Sequence, residues 1–281
     1  MSKKTMLLIL GATRVGDTIH TIPFLKHACK DYRVHWVHGS YGRQAAEFVR
    51  SEVEGMDVSL TCKEDKGLPM LGIPDCMDFL NTNLVMKDTI SYDAYVPSKD
   101  LKKTGYPELV CFGVLDAYHE VCGIRFNRLK DSIVRLINDP PQGDHVVVQP
   151  QTISPWKTVQ SFTELDSHVF GDSTIYNVGT PEEHPLNGPN VQVTNGAHFC
   201  EVARLVRSAR LVVALHSAVA CLAYYLGTPL ICVSFGSGFY PFEQGRPNNT
   251  MLIQPSKQRL LEVISDYMTS PRKRMEPEDI E

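Results

Sequence analysis

Short apolar runs alternate with amphipathic helical patterns along the chain, and this alternation limits the fold more than any single motif does. Runs such as Met6–Leu10, Val146–Gln149 and Leu211–Leu215 are too short for ordinary helices, and apolar runs of this length are typical of buried strands. Helical patterns such as Thr18–Lys30 and Ala197–Ser208 lie between such runs, which is the order of βα units in parallel sheets. The sequence therefore predicts an α/β fold.

One segment of turn-forming residues, Asn138–Asp144, interrupts this alternation with the sequence Asn-Asp-Pro-Pro-Gln-Gly-Asp. A Pro-Pro pair is a stiff spacer between ordered segments. The βα pattern restarts after it, so we predict two Rossmann-like domains, residues 1–139 and 140–281, whose parallel sheets face a central cleft. We also expect strands at 33–38, 174–178 and 229–235, helices at 41–50, 107–122, 161–170 and 217–226, a long loop at 62–83, and a frayed charged tail after residue 271.

Composition and cysteine spacing argue against a dedicated nucleic-acid-binding protein, a membrane-spanning protein and a zinc finger. The net charge is −4, and only the cluster of basic residues between Lys99 and Lys130 favours nucleic-acid binding. No apolar run approaches the ~20 residues of a membrane span, and the N-terminus lacks a secretory apolar region, so we expect a cytoplasmic protein without a transmembrane segment. The eight cysteines form no C-x-x-C pair, and no Cys/His cluster has zinc-finger spacing, so no zinc site of that kind is expected.

The turn after the first predicted strand, Gly11-Ala-Thr-Arg-Val-Gly-Asp-Thr18, is the first candidate site. Its two glycines allow a sharp change of direction at the carboxyl end of the strand. Asp17 then lies at the helix N-terminus, either as a simple N-cap or as a carboxylate that faces the cleft. The turn is neither G-x-G-x-x-G nor a P-loop, so nucleotide binding is not predicted there.

The turn at His216, Ser217 and Ala218 is a candidate anion site in the C-terminal half. A strand runs directly into a helix of small residues there, and Ser217 is predicted to cap that helix. Exposed backbone N–H groups and the helix dipole suit a diphosphate, whereas an ordinary serine-capped turn is the alternative.

Two further turns lie at the ends of predicted strands in this half. Lys157 follows the strand Val146–Gln149 and is either a phosphate-neutralising point charge or a surface lysine. Glu182 and Glu183 follow the next strand, where a carboxylate either accepts hydrogen bonds from a ribose or is simply exposed.

Three segments, in this order, resemble the heptosyltransferase-like glycosyltransferases of glycosyltransferase family 9. Residues 16–25, Gly-Asp-Thr-Ile-His-Thr-Ile-Pro-Phe-Leu, match the family's N-terminal Gly-Asp turn and the helix after it. Residues 146–150 and 161–165 follow the strand, proline turn and helix that open its second half. Residues 216–223, His-Ser-Ala-Val-Ala-Cys-Leu-Ala, keep the frame of its late Asp-Ser-Gly-Pro-x-His-Leu-Ala signature.

Departures from the family pattern indicate a divergent member. His216, Ala218 and Cys221 replace the late Asp, Gly and His, and Gly11 stands where the family has an early basic residue. Lys157 follows the tryptophan of its segment, whereas the family's lysine precedes it.

The resemblance implies a GT-B fold in which residues 1–139 bind the acceptor and residues 140–281 bind the donor. It implies an inverting, metal-independent transfer of a sugar from a nucleotide-diphosphate donor to a hydroxyl of a saccharide or lipid-linked saccharide, without a cofactor. Asp17 would be the general base. The implied acceptor-side residues are Arg14, Gly16 and Thr18, and the implied donor-binding residues are Lys157, Glu182, Glu183, His216, Ser217 and Ala218.

Two other functions remain open at this point. One is a glycosyltransferase that modifies a hydroxylated base in nucleic acid, which the altered motifs permit and the net charge disfavours. The other is a non-catalytic nucleotide-sugar-binding module of the same fold.

Overall fold

The chain forms two compact units, Met1–Ser132 and Ile133–Glu281, in a computed structural model. The structure describes residues 4–10, 15–39, 42–63, 88–92, 133–152, 158–236 and 246–279. Arg14, Lys157, the predicted helix at 107–122, the basic cluster between Lys99 and Lys130, and most of the predicted loop at 62–83 lie outside the described residues.

The described residues of the first unit form a four-stranded parallel sheet in the order β3-β2-β1-β4. Its strands are β1 (Lys4–Leu10), β2 (Tyr32–Gly39), β3 (Val58–Lys63) and β4 (Asp88–Tyr92), and its described helices are α1 (Val15–His20), α2 (Ile22–Asp31) and α3 (Arg43–Glu52). The predicted loop at 62–83 begins too early, because Cys62 and Lys63 pair with β2 as the end of β3.

The single helix predicted at 18–30 is wrong in its limits, since two helices, α1 and α2, meet at Thr21. The Thr21 hydroxyl donates to the Thr18 carbonyl over 2.7 Å, which closes the last turn of α1. Pro23 has no N–H to donate to the previous turn, so a continuous helix is disfavoured at this point. The apolar face predicted for this segment is buried as expected, with Ile19 and Leu25 fully inaccessible to solvent.

The second unit contains a six-stranded parallel sheet in the order β10-β9-β8-β5-β6-β7. Its strands are β5 (Val146–Gln149), β6 (Ile175–Asn177), β7 (Val191–Val193), β8 (Leu211–Leu215), β9 (Leu230–Ser234) and β10 (Asn249–Ile253). If these six strands are numbered 1 to 6 in chain order, the sheet has the doubly wound order 3-2-1-4-5-6. The direction in which successive strands are added to the sheet reverses between β5 and β8. Folds of this order bind ligands at the carboxyl ends of the strands that flank the reversal.

Helices lie between these strands and after the last one. They are α4 (Gln160–Thr163), α5 (Phe199–Ser208), α6 (Ala218–Tyr225) and α7 (Lys257–Thr269), with short 3-10 helices at Ser167–Phe170 and Pro277–Asp279. The single helix predicted at 161–170 is therefore wrong. Asp166 caps a new 3-10 helix by accepting from the backbone N–H of His168 at 2.9 Å, and this separates Ser167–Phe170 from α4.

The central strands of the second sheet are buried at every position, which explains their uninterrupted apolar sequence. Val146 and Val148 of β5 point into a core that also contains Phe162 and Ile264 from the helices. The intervening Val147 is equally inaccessible to solvent, so both faces of the sheet are covered.

Arg207 holds the segment before β5 and the chain terminus against the second unit. Its guanidinium donates twice to the Asp139 carboxylate, over 2.6 Å in each case, and to both carboxylate oxygens of Glu276, over 3.1 and 2.9 Å. It also donates to the carbonyl of Leu226 at the end of α6. The expected fraying after residue 271 is therefore wrong, because the terminal segment is fixed by ion pairs and by the hydrogen bond from Met275 N–H to the Gly227 carbonyl, 2.8 Å.

Candidate functional site

Gln149 and Ser217 are two polar residues at the strand reversal of the second sheet. Gln149 ends β5 and pairs in register with Ala214 of the neighbouring strand β8, while Ser217 follows β8 by two residues. The Ser217 hydroxyl donates to Oε1 of Gln149. Gln149 is only 7% exposed, so this hydrogen bond ties the β8–α6 turn to a fixed point at the end of β5.

The prediction that Ser217 caps its helix is wrong. Ser217 occupies the N-cap position of α6, but its side chain makes no hydrogen bond to the helix because its hydroxyl is directed to Gln149. The first bond of α6 runs from Cys221 N–H to the Ser217 carbonyl, 3.0 Å. The N–H groups of the first helical residues have no partner within a helix, and of the residues Ala218 to Ala220 only Ala218 is partly exposed, so its N–H is the one best placed to meet a ligand.

His216 lies in the same turn as Ser217. Its backbone N–H donates to the Val233 carbonyl over 2.9 Å, which continues the pairing of β8 with β9 by one residue. Its ring is partly exposed, as is Ala218, the first residue of α6.

The two predicted ribose-binding glutamates differ in accessibility. Glu182 is exposed, whereas Glu183 is 8% exposed and its carboxylate lies over Gly179 so closely that a Cβ there would fall 2.2 Å from Oε2. Asn195 fixes the Glu183 carbonyl with a 2.8 Å hydrogen bond. Glu182 is therefore the glutamate of the pair that is free to meet a ligand.

Two hydrogen bonds connect the loops at this edge of the sheet. Gln149 accepts from Ser217, and Gln151 accepts from the backbone N–H of His184 over 3.1 Å, which joins the loop after β5 to the glutamate segment. The structure thus connects three of the predicted segments through two glutamines that the sequence analysis did not assign. The signal for Gln149 was present as a carboxamide that ends a run of three buried valines.

In the first unit, Asp17 is the third residue of α1, which begins at Val15 and not at Thr18. Asp17 is therefore part of the first helical turn. Gly16 is partly buried and Thr18 is inaccessible to solvent. The positive end of the helix dipole favours a carboxylate in the first turn.

The described residues contain neither a metal-ligating cluster nor a membrane-spanning helix. No group of three or more His, Cys, Asp or Glu side chains is placed to hold a metal ion there. Within the same residues, none of the helices has the length and apolar character needed to cross a membrane.

Comparisons with known proteins show the fold. No protein-family model and no curated protein matches the sequence. Among solved structures, a family 9 glycosyltransferase from Veillonella parvula DSM 2008 superposes with a TM-score of 0.62 at 14% identity, over 99% of this chain and 95% of that one. The E. coli heptosyltransferase WaaC with ADP-2-deoxy-2-fluoro heptose gives 0.57 at 14% identity, over 93% and 99%. The E. coli ADP-heptose lps heptosyltransferase II gives 0.54 at 12%, over 94% and 98%.

These likenesses confirm the predicted fold class, an α/β GT-B fold with parallel sheets. They also confirm the resemblance to the heptosyltransferases of glycosyltransferase family 9, at the level of the fold and at low sequence identity.

Proposed function

We propose that the protein is a glycosyltransferase that binds the diphosphate of a nucleotide-sugar donor at the start of α6. The observation that carries this proposal is the hydrogen bond from Ser217 to Gln149, which leaves the first N–H groups of the helix uncapped at the strand reversal. Backbone donors at a helix N-terminus bind phosphate well because the helix dipole adds to their hydrogen bonds.

Two further donor-binding residues, Glu182 and Lys157, are part of the proposal. Glu182 is exposed in the segment that Gln151 joins to the end of β5, and its carboxylate is suited to accept hydrogen bonds from ribose hydroxyls. Lys157 supplies a positive charge to the diphosphate in this proposal. WaaC was solved with an ADP-sugar analogue, so ADP-heptose is the first donor to test.

In this proposal Asp17 is the general base. An ionised carboxylate in the first turn of α1 accepts the proton of an acceptor hydroxyl as that oxygen attacks the anomeric carbon, and the C–O bond to the diphosphate breaks. Attack opposite the leaving group inverts the anomeric centre. The N–H groups of α6 stabilise the negative charge that develops on the leaving diphosphate, so no metal is needed. The acceptor hydroxyl belongs to a saccharide or a lipid-linked saccharide.

The test is to measure donor binding and donor consumption separately. ADP affinity is measured by calorimetry, and turnover by release of ADP from ADP-heptose, with water or a saccharide as acceptor. Asp17→Asn should lower turnover by about 10²–10⁴-fold, since it removes the proton acceptor, and should leave ADP affinity within about twofold.

Asp57→Asn is the matched control, because Asp57 belongs to the same unit and pairs with Arg33 at 3.9 Å on the surface. Its turnover should equal that of the unaltered protein. ADP binding without turnover by the unaltered protein would instead identify a non-catalytic binding module, and turnover of Asp17→Asn near the normal rate would exclude Asp17 as the base.

A further inference from the structure

Ser217 and Ser256 occupy the same position before two helices but use their hydroxyls differently. Ser256 accepts from the backbone N–H of Arg259 over 3.2 Å and so caps α7. Ser217 makes no such bond to α6 and donates to Gln149. A serine at the N-cap normally accepts a hydrogen bond from the helix, whereas the Ser217 hydroxyl is hydrogen-bonded to the side-chain carbonyl of Gln149 and to no N–H of α6.

The other half of the Gln149 carboxamide is a donor. Nε2 is bonded to the same carbon as the Oε1 that Ser217 contacts, so it lies beside the start of α6. The Gln149 side chain hydrogen-bonds to no other residue in the part of the chain that the structure describes. Gln149 is 7% exposed, so its carboxamide is held in place, and Nε2 is a donor that a ligand with an acceptor can use.

We propose that Gln149 positions the diphosphate by withdrawing the Ser217 hydroxyl from α6 and by offering Nε2 as a further uncharged donor at the same place. This inference rests on the function proposed above. Gln149 acts through hydrogen bonding alone. Its effect on the Ser217 hydroxyl and its donation from Nε2 can be separated by mutation.

The experiment is a double-mutant cycle on Gln149 and Ser217, read by calorimetric titration of inorganic pyrophosphate. Gln149→Leu removes Nε2 and frees the Ser217 hydroxyl to cap α6, so affinity should fall about twentyfold, each effect being worth about fivefold. Ser217→Ala alone should stay within about threefold of the unaltered protein, because the helix remains uncapped.

The double variant best distinguishes the proposed role of Gln149 from a purely structural one. Adding Ser217→Ala to Gln149→Leu removes the cap and should restore affinity about fivefold. A purely structural role for Gln149 predicts the opposite, a further loss when the second side chain is removed. No recovery or a further loss would overturn the proposal, as would an affinity of Gln149→Leu within twofold of normal.

Ser256→Ala is the matched control. It removes a true N-cap two strands away from β8, so it should lower the melting temperature and leave pyrophosphate affinity unchanged. Failure of the unaltered protein to bind both pyrophosphate and ADP would overturn the donor site and this inference together. Normal binding with a failed cycle would overturn the inference alone.

Discussion

The two edges of the six-stranded sheet use opposite chemistry. At the amino edge, where α5 and α6 end, the fully buried guanidinium of Arg207 is paired with the Asp139 and Glu276 carboxylates. At the carboxyl edge of the same strands, Gln149 and Ser217 are uncharged, and the helix that follows is left uncapped.

The difference shows how one sheet separates stability from binding. Full charges at the amino edge are satisfied by one another, so they fix the chain segments around them and have no capacity left for a ligand. The neutral donors at the carboxyl edge are the groups that bind the diphosphate in the proposed function. We therefore expect mutations at the two edges to affect different measurements.

The largest expected effect is on stability, from Arg207→Met. The variant keeps the apolar volume but removes the buried cation that Asp139 and Glu276 share and leaves them only Arg274 and Arg135, which should lower the free energy of unfolding by about 3 kcal/mol in urea denaturation. This is the lower end of the usual range, since Asp139 and Glu276 are about one quarter exposed.

Arg204→Met is its control, because Arg204 lies one turn earlier on α5 and is exposed. It should change the free energy of unfolding by about 0.5 kcal/mol or less. ADP affinity of the folded Arg207→Met protein should be normal. A large loss of that affinity would show that the two edges are coupled and would break the comparison.

The next effect is on binding, from Ala218→Leu at the first position of α6. A leucine side chain there covers the uncapped N–H groups, so ADP affinity should fall about 100-fold as the hydrogen bonds to phosphate are lost. Because Ala218 is partly exposed, the free energy of unfolding should change little.

Ala197→Leu is the corresponding control, at a partly exposed alanine just before α5. Calorimetry should give it normal ADP affinity. Normal affinity for Ala218→Leu as well would mean that the diphosphate binds elsewhere on the protein.

The central strands could be predicted from the sequence because burial on both faces requires apolar residues throughout. Val146–Gln149 and Leu211–Leu215 were predicted with their exact limits for this reason. The edge strands β7 and β10 were missed. β7 has only three residues, two of them exposed, and β10 mixes polar with apolar side chains, so neither shows a clear period.

The sequence predicted where the candidate site lies along the chain but not which of its residues hydrogen-bond to each other. The position of Ser217 after a buried strand predicted the turn correctly, yet its hydroxyl was assigned to the helix cap because that partner is local. The true partner, Gln149, is 68 residues away in the chain. Which strands lie side by side is decided by the whole sheet, and no local pattern contains that information.

The smallest expected effect is a pH dependence confined to the amino edge. Burial alone would raise the pKa of Asp139, but the hydrogen bonds and charge of Arg207, with the charges of Arg274 and Arg135, hold it below its usual value. A carboxyl with a lowered pKa in the folded state stabilises the protein above its unfolded pKa of about 3.9 and loses that contribution as the pH falls through its folded pKa.

Asp139→Asn should therefore lower the free energy of unfolding at pH 7 by about 1–2 kcal/mol and make it less sensitive to pH below about 4. Urea denaturation between pH 2.5 and 7 would measure both, with Asp144→Asn, an exposed aspartate before β5, as the control. If the Asp139 charge is responsible, the difference in free energy of unfolding between the unaltered protein and Asp139→Asn should shrink as the pH falls. A difference that stays constant down to pH 2.5 would show that Asp139 acts through packing and not through its charge.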